Sequence, residues 1–136
     1  MKRIKNIEKI TASFPGWKPS TCAFIERIEW MATRHLNKTG SCEISFLCQK
    51  RDKTVSWPNY KNAFFQVSLF FEQVTAFSVR LDDGIHGMNG FDIIDISENG
   101  LEHAHFQIED SENGPIGFFC KEIEVVSVSE KKYLYE

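Results

Sequence analysis

The sequence predicts a mainly β protein, either an antiparallel β-sandwich or a strongly curved antiparallel sheet, with a short N-terminal helix. Apolar and polar residues alternate over positions 41–50, which is the period of a half-buried strand. The tetrapeptide Ser-Glu-Asn-Gly occurs at 97–100 and again at 111–114. Asn-Gly is typical of type I′ hairpin turns, in which both central residues have positive φ. Twelve phenylalanines in 136 residues suit one aromatic-rich core, so we expect a single domain over residues 1–136.

The first third of the chain holds the predicted helix and one ambiguous segment. Isoleucines recur at three-residue spacing from Ile4 onward among charged side chains, which predicts a short amphipathic helix. Residues 22–32 fit either a helix or a strand interrupted at Glu26 in which Phe24 and Ile28 share a face. The surrounding strand signals favour the strand.

The middle and the last third predict further strands. Residues 62–81 contain two alternating apolar stretches separated by a Glu-Gln pair. Either two strands meet there at a tight turn or one long strand bends at a bulge. The two Ser-Glu-Asn-Gly turns then predict an antiparallel meander of residues 91–97, 101–109 and 116–128.

The sequence argues against membrane-spanning and secreted proteins. No apolar run approaches the roughly 20 residues that cross a bilayer, and the basic residues 1–8 are not followed by the apolar region of a secretory signal. We expect a cytoplasmic protein whose four cysteines are free and buried: Cys22, Cys42, Cys48 and Cys120. The absence of a Cys-x-x-Cys pair argues against zinc-ribbon and thioredoxin-type sites.

Charge is distributed unevenly along the chain. Residues 1–61 carry 12 basic and 5 acidic side chains, a net charge of +7, whereas residues 62–136 carry 4 and 14, a net charge of −10. Positions 81–120 contain no Lys or Arg and nine acids: Asp82, Asp83, Asp92, Asp95, Glu98, Glu102, Glu109, Asp110 and Glu112. The two halves either pack together and partly neutralise each other, or leave an acidic surface that steers a basic partner.

Two histidines are the candidate metal ligands. His103 and His105 project from one face of a predicted strand, a spacing at which two His can begin a metal site. Because Ala104, Phe106 and Ile108 are expected to form the buried face, we interpret both histidines as solvent-facing and predict no metal. No third ligand is fixed by the sequence, and no cofactor is predicted.

Motifs of common enzymes are missing from the sequence. It contains no Gly-x-Ser-x-Gly nucleophile elbow, no glycine-rich phosphate loop and no His-Glu-x-x-His, so we expect a protein that is not an enzyme. Its basic residues are dispersed and its pI is about 5.8, which argues against nucleic-acid binding.

Four short motifs are distributed along the chain: Phe-Pro-Gly-Trp-Lys-Pro-Ser at 14–20, the Leu/Phe-rich run at 67–71, Gly-Phe-Asp-Ile-Ile at 90–94 and Gly-Phe-Phe-Cys at 117–120. These motifs resemble those of the immunity proteins of bacterial polymorphic toxin systems, a family of small all-β proteins that open with a Trp-Pro-Ser loop. The chain departs from the family where Lys18 separates Trp from Pro and where a Thr-Cys pair replaces a polar His-Asp pair. The resemblance implies a cytoplasmic protein that binds one cognate toxin and blocks it.

Together, this resemblance and the acidic second half predict a non-enzymatic binding protein whose partner is a toxin, with a basic nuclease as the candidate class. We expect its contact surface to draw on acidic residues with two aromatic anchors beside them, because aromatic residues dominate binding hot spots. The predicted contact residues are Asp82, Asp83, Asp92, Asp95, Glu102, Glu109, Asp110, Trp57 and Tyr60.

An alternative function uses the same β fold differently. Trp17, Trp30 and Trp57 offer aromatic faces on which a small ligand or a carbohydrate could stack. The other interpretation of the same three tryptophans is that they pack in the core or in loops.

Overall fold

The computed structural model describes residues 4–32, 39–51, 56–81, 86–102, 104–110 and 114–132. It confirms a mainly β protein of antiparallel strands with a short helix. Within these residues the elements are α1 (Glu8–Thr11), β1 (Cys22–Ala32), β2 (Gly40–Cys48), β3 (Phe64–Val79), β4 (His86–Gly87), β5 (Asp92–Asp95), β6 (Phe106–Glu109), β7 (Ile116–Cys120) and β8 (Glu122–Lys132). The strands join in an open sheet of spatial order β4-β1-β2-β3-β7-β6-β5, with β8 paired to β3.

The segment before the helix is tied to β8. The main-chain N–H of Lys5 donates a hydrogen bond to Ile123 O, and the main-chain O of Lys5 accepts one from Val125 N–H, both 2.9 Å long. Asn6 then takes a positive φ of 62°, which no α-helix accommodates. The helix therefore begins only at Glu8.

β1 is a strand, as its surroundings suggested, and it pairs with β2 along its length. A register shift after Ile25 places Glu26 in a bulge. Because an extra residue reverses the side-chain alternation, Ile25 joins Ile28 in the main core while Phe24 joins a separate cluster. The expectation that Phe24 and Ile28 share a face is wrong for this reason.

β3 is one long strand that bends, which confirms the second alternative for residues 62–81. It pairs with β2 from Phe65 to Val74 on one side and with β8 from Phe64 to Glu72 on the other. Gln73 and Ala76 then take positive φ values of 51° and 52°, and the remainder of β3 pairs with β7. The bend turns β7, β6 and β5 away from the plane of the first strands.

The main core fills the space inside this curve. Phe46 of β2 stacks on Phe91, which directly precedes β5, with 5.0 Å between ring centroids. Phe71 of β3 meets Phe118 of β7 edge-on at 5.0 Å. All four rings are buried. The Phe46–Phe91 contact shows that the β5 end of the curved sheet packs over β2.

A smaller cluster lies on the opposite face of β1 and β2. It consists of buried Ala23, Phe24, Leu47 and Phe64, with half-buried Trp57 against them. Gln49 holds the Trp57 loop in place, because its main-chain O accepts a hydrogen bond from Trp57 Nε1 at 2.8 Å. Its side chain also donates to Asn59 O at 3.0 Å and accepts from Asn59 N at 2.6 Å.

The meander predicted for the last third is confirmed in order and direction, with shorter strands. β5 pairs with β6 and β6 with β7, both antiparallel. The segment predicted at 116–128 divides at Lys121, whose main-chain N–H donates to Glu72 O at 2.9 Å. This break lies opposite the bend in β3.

The first Ser-Glu-Asn-Gly turn differs from the type I′ turn predicted for it. Ser97–Asn99 forms one turn of 3₁₀ helix, and Gly100 follows with a φ of 76°. Asp95 Oδ1 accepts hydrogen bonds from Ser97 N at 2.9 Å and from Ser97 Oγ at 2.6 Å. This Asx turn replaces the two-residue loop, so the type I′ prediction is wrong here. In the second copy, residues 111–113 lie outside the described residues.

Gly90 should be intolerant of substitution. It has a φ of 77°, and a Cβ there would lie 2.7 Å from Ser20 Cα and 2.9 Å from Ser20 O. We expect Gly90→Ala to lower the free energy of unfolding by about 3 kcal/mol or more, from backbone strain plus a clash with main-chain atoms. Urea denaturation measures the loss.

Gly100→Ala is the matched control for that experiment. Gly100 has a φ of 76°, but among the described residues other than its two chain neighbours no atom lies within 4 Å of the place that a Cβ would take. About 1–2 kcal/mol of backbone strain is therefore the whole expected cost. Equal losses in the two variants would show that Gly90 does not approach Ser20 closely.

Candidate partner-binding surface

The β5–β6 hairpin places two acidic side chains opposite each other on its outer face. Asp92 pairs in register with Glu109, and Ile93 with Ile108. Ile108 is buried in the main core and Ile93 packs against it. Because side chains alternate along a strand, Asp92, Ile94 and Glu109 face outward, and all three are exposed.

The outer surface continues from this hairpin onto β7. Gln107 lies opposite Ile94 on one side and opposite half-buried Phe119 on the other. Ile94 is 38% exposed. We define the hairpin face as Asp92, Ile94, Gln107, Glu109 and Phe119. Ile94, Gln107 and Phe119 form its centre, and the carboxylates of Asp92 and Glu109 lie at one end.

The acidic pair of the hairpin face has no basic residue close in sequence. The Cβ atoms of residues directly opposite each other on neighbouring strands are about 4.5–5.5 Å apart, so like charges at such positions destabilise the sheet. Positions 81–120 supply no Lys or Arg. The ion pairs that the structure describes join other residues, Lys5 with Glu122 and Arg27 with Glu29 and Glu43.

A second carboxylate pair, between β3 and β8, is compensated within the chain. Glu72 lies opposite Glu122, and Lys5 Nζ is 2.8 Å from Glu122 Oε2. The hydrogen bond between the two carboxyl groups raises the pKa of Glu72. The hydrogen bond from Lys5 lowers the pKa of Glu122. The two acidic pairs therefore differ, since one contacts a lysine of its own chain.

The raised pKa of Glu72 predicts how stability changes with pH. A carboxyl whose folded-state pKa is raised favours folding below its ordinary value of 4.5 and opposes it once ionised. Glu72→Gln keeps a hydrogen-bond donor and removes the charge, so we expect it to stabilise the protein at pH 7 by about 0.5 kcal/mol. The gain should vanish as the pH falls below 4.5. Urea denaturation at pH 7 and at pH 4 measures both.

Glu122→Gln supplies the contrast. The lowered pKa of Glu122 means that its ionised form favours folding above the ordinary value of 4.5, so this variant should be less stable than the wild type at pH 7. If both substitutions were stabilising at pH 7, Lys5 would not be engaging Glu122 as described.

The remaining predicted acids are distributed differently. Asp95 is exposed and accepts the hydrogen bonds from Ser97, and Glu102 is exposed in the loop before β6. Asp110 is only 8% exposed, and Gly114 lies directly against its carboxyl group. Asp110 therefore does not belong to the acidic surface, contrary to expectation. The predicted contacts Asp82 and Asp83 lie outside the described residues.

The predicted aromatic anchors pack on residues other than those of the hairpin face. Trp57 packs on the smaller cluster, and the Arg51 guanidinium lies 3.6 Å from the centre of its ring. Tyr60 is 51% exposed and its ring lies 6.0 Å from that of Phe24. Both aromatic side chains thus pack near the ends of β1 and β2 and not on β5 or β6.

A shallow groove of about 270 Å³ adjoins Asp92. It is lined by Lys18, Pro19, Ser20, Phe91, Asp92 and Ile93. The main-chain hydrogen bond from Phe91 N to Pro19 O, 3.3 Å long, holds its two sides together. Its floor is apolar, and Lys18 and Asp92 are both exposed.

The histidine pair is only partly described. His105 is half-buried and its main-chain N–H donates to Cys120 O at 3.0 Å. His103 lies outside the described residues. Over the part of the chain that the structure describes, no group of three His, Cys, Asp or Glu side chains is arranged to hold a metal ion.

The three tryptophans do not form one surface. Trp17 is buried in the main core. Trp30 stacks on Phe77 at 4.8 Å, whereas Trp57 belongs to the cluster of Phe24. Phe24 and Trp30 are six residues apart on β1, roughly 20 Å at strand rise. A carbohydrate platform shared by the three is therefore absent from the structure described.

Comparisons with known proteins give no match for this chain. No family model, no curated protein and no solved structure matches it. No helix among the described residues is long and apolar enough to cross a bilayer.

Sequence reasoning missed part of the hairpin face. The acids Asp92 and Glu109 were predicted, but Ile94, Gln107 and Phe119 were not. Asp92 is followed by two isoleucines, so alternation alone does not show which of them faces outward. The register with β6 decides it.

Proposed function

We propose that this protein is a non-enzymatic immunity protein that neutralises a cognate toxin by direct contact through the hairpin face. The observation that carries the proposal is the cross-strand pair of Asp92 and Glu109, exposed beside Ile94 in a stretch without Lys or Arg. A basic partner would supply cations to this pair, which has no Lys or Arg close to it in sequence. The sequence resemblance to immunity proteins of toxin systems supports the same function.

The physical basis is charge complementarity combined with a small apolar centre. An acidic surface steers a basic protein during encounter, raises the association rate and orients docking. Ile94 and half-buried Phe119 add apolar area that is lost from water on contact. A basic nuclease suits this surface, because its own active site is built to bind a polyanion.

The adjoining groove extends the proposed contact. Its apolar floor of Pro19, Phe91 and Ile93 offers a seat for one partner side chain beside Asp92. Anchors that fill such pockets contribute most of the affinity at protein interfaces. In this proposal Trp57 and Tyr60 lie outside the contact and stabilise the fold.

Co-expression with the product of the neighbouring gene tests the proposal. We expect the two proteins to co-purify at low salt, the complex to weaken as salt rises, and this chain to restore growth of cells that make the toxin. Absence of any complex at low salt would contradict the function proposed here.

A further inference from the structure

Cys22 and Cys48 form a close pair of buried thiols that the proposed binding function does not use. Cys22 is the first residue of β1 and Cys48 the last of β2, and the two lie opposite each other in the register. Their Sγ atoms are 3.2 Å apart. Both thiols are free and fully buried.

We propose that Cys22 and Cys48 are a site of reversible oxidation, at which a peroxide converts the two thiols into an intramolecular disulfide. Directly opposed residues of antiparallel strands have Cα atoms about 4.5–5.5 Å apart, which lies within the roughly 4.4–6.8 Å range of disulfides. The bond therefore forms without moving either strand far.

The reaction balances with one peroxide for each pair. The thiolate of one cysteine attacks a peroxide oxygen, the O–O bond breaks, and a sulfenic acid and hydroxide form. The second sulfur then attacks the sulfenic sulfur, the S–S bond forms, and the sulfenic oxygen leaves as hydroxide. The two thiol protons convert both hydroxides to water. Two sulfurs are oxidised, and both peroxide oxygens are reduced.

Burial makes this oxidation slow, and the position of the pair makes it possible. Desolvation raises the pKa of the Cys22 thiol well above its ordinary value, so little reactive thiolate is present at neutral pH. However, both cysteines are terminal residues of their strands, so local opening at this end needs only a few hydrogen bonds to break, among them Gly90 N to Cys22 O and Gln49 N to Thr21 O. A small oxidant therefore reaches them by local opening, without global unfolding.

The other two cysteines provide an internal comparison. Cys42 and Cys120 are also buried and free, and burial raises the pKa of Cys42 to about 12. Cys42 lies within β2, whereas Cys120 ends β7. Among the described residues, Cys22 and Cys48 are the pair whose sulfur atoms are in contact.

Peroxide treatment of the folded, reduced protein tests the proposal. We expect the intact protein to lose two hydrogens, and digestion without reductant to yield a peptide joining Cys22 to Cys48 that dithiothreitol separates. The oxidised form should show a urea midpoint about 1–2 M higher than the reduced form. A Cys42→Ala, Cys120→Ala double variant should behave in the same way.

Other products would overturn the proposal. These are sulfinic acid without a cross-link, a disulfide between two molecules, or a link that involves Cys42 or Cys120. Cys48→Ala should abolish both the link and the rise in midpoint. If that variant does not fold, peptide mapping of the wild-type protein still decides, because it identifies the linked residues directly. None of these outcomes depends on the proposed toxin.

Discussion

Replacing Phe71 by Ala is expected to lower the free energy of unfolding by about 3–5 kcal/mol. The Phe71 ring is fully buried and meets Phe118 edge-on at 5.0 Å. Its neighbours in register are Cys42 on β2 and Ile123 on β8, both buried. Three strands surround the cavity that the substitution leaves, so little can collapse into it. Urea denaturation monitored by circular dichroism measures the loss.

Phe70→Ala is the control, because it removes the same ring from the same strand but from the opposite face. Phe70 is half-buried and pairs with Glu43 and Glu124. We expect it to cost less than half as much as Phe71→Ala. Equal costs would mean that β3 does not have the register described.

Reversing both charges of the hairpin face should separate binding from folding. In the variant Asp92→Lys with Glu109→Lys, we expect the association rate with the toxin to fall about 10–100-fold at low salt. The difference should shrink as salt rises, because mobile ions screen exposed charges beyond about 10 Å at 0.1 M. Stopped-flow or surface plasmon resonance measurements at several salt concentrations give the rates.

The single reversal Asp92→Lys sharpens the test. It places a cation opposite Glu109, so stability should rise by about 0.2–1 kcal/mol while toxin binding weakens. Glu130→Lys makes the same charge change at an exposed position of β8 and should leave the association rate nearly unchanged. Equal losses at positions 92 and 130 would show that net charge, and not the hairpin face, determines binding.

The strand order of the last third and the place of the bend in β3 follow from local sequence, but the backbone conformation of that bend does not. β2 is visible because Cys42, Ile44 and Phe46 alternate with polar side chains. The bend in β3 depends on Gln73 and Ala76 at positive φ, which neither residue type signals. Packing of the core imposes that backbone, and local propensity carries no trace of it.

The sequence predicted that the candidate surface is acidic, but it did not predict which acidic residues lie next to each other. The run without Lys or Arg identified the acidic region, but strand register decides which of its acids meet. It pairs Asp92 with Glu109, and the fold buries Asp110. Asp110 immediately follows Glu109, so a one-residue difference separates an exposed carboxylate from a buried one.

Hydrogen exchange of the toxin complex tests the central claim most directly. If the hairpin face is the contact, amides of residues 92–95 and 106–109 should exchange more slowly in the complex than in the free protein. The amides of β1 and of the second half of β8 should keep their free rates. Protection confined to β1 or β8, with residues 92–95 and 106–109 unchanged, would contradict the proposed contact.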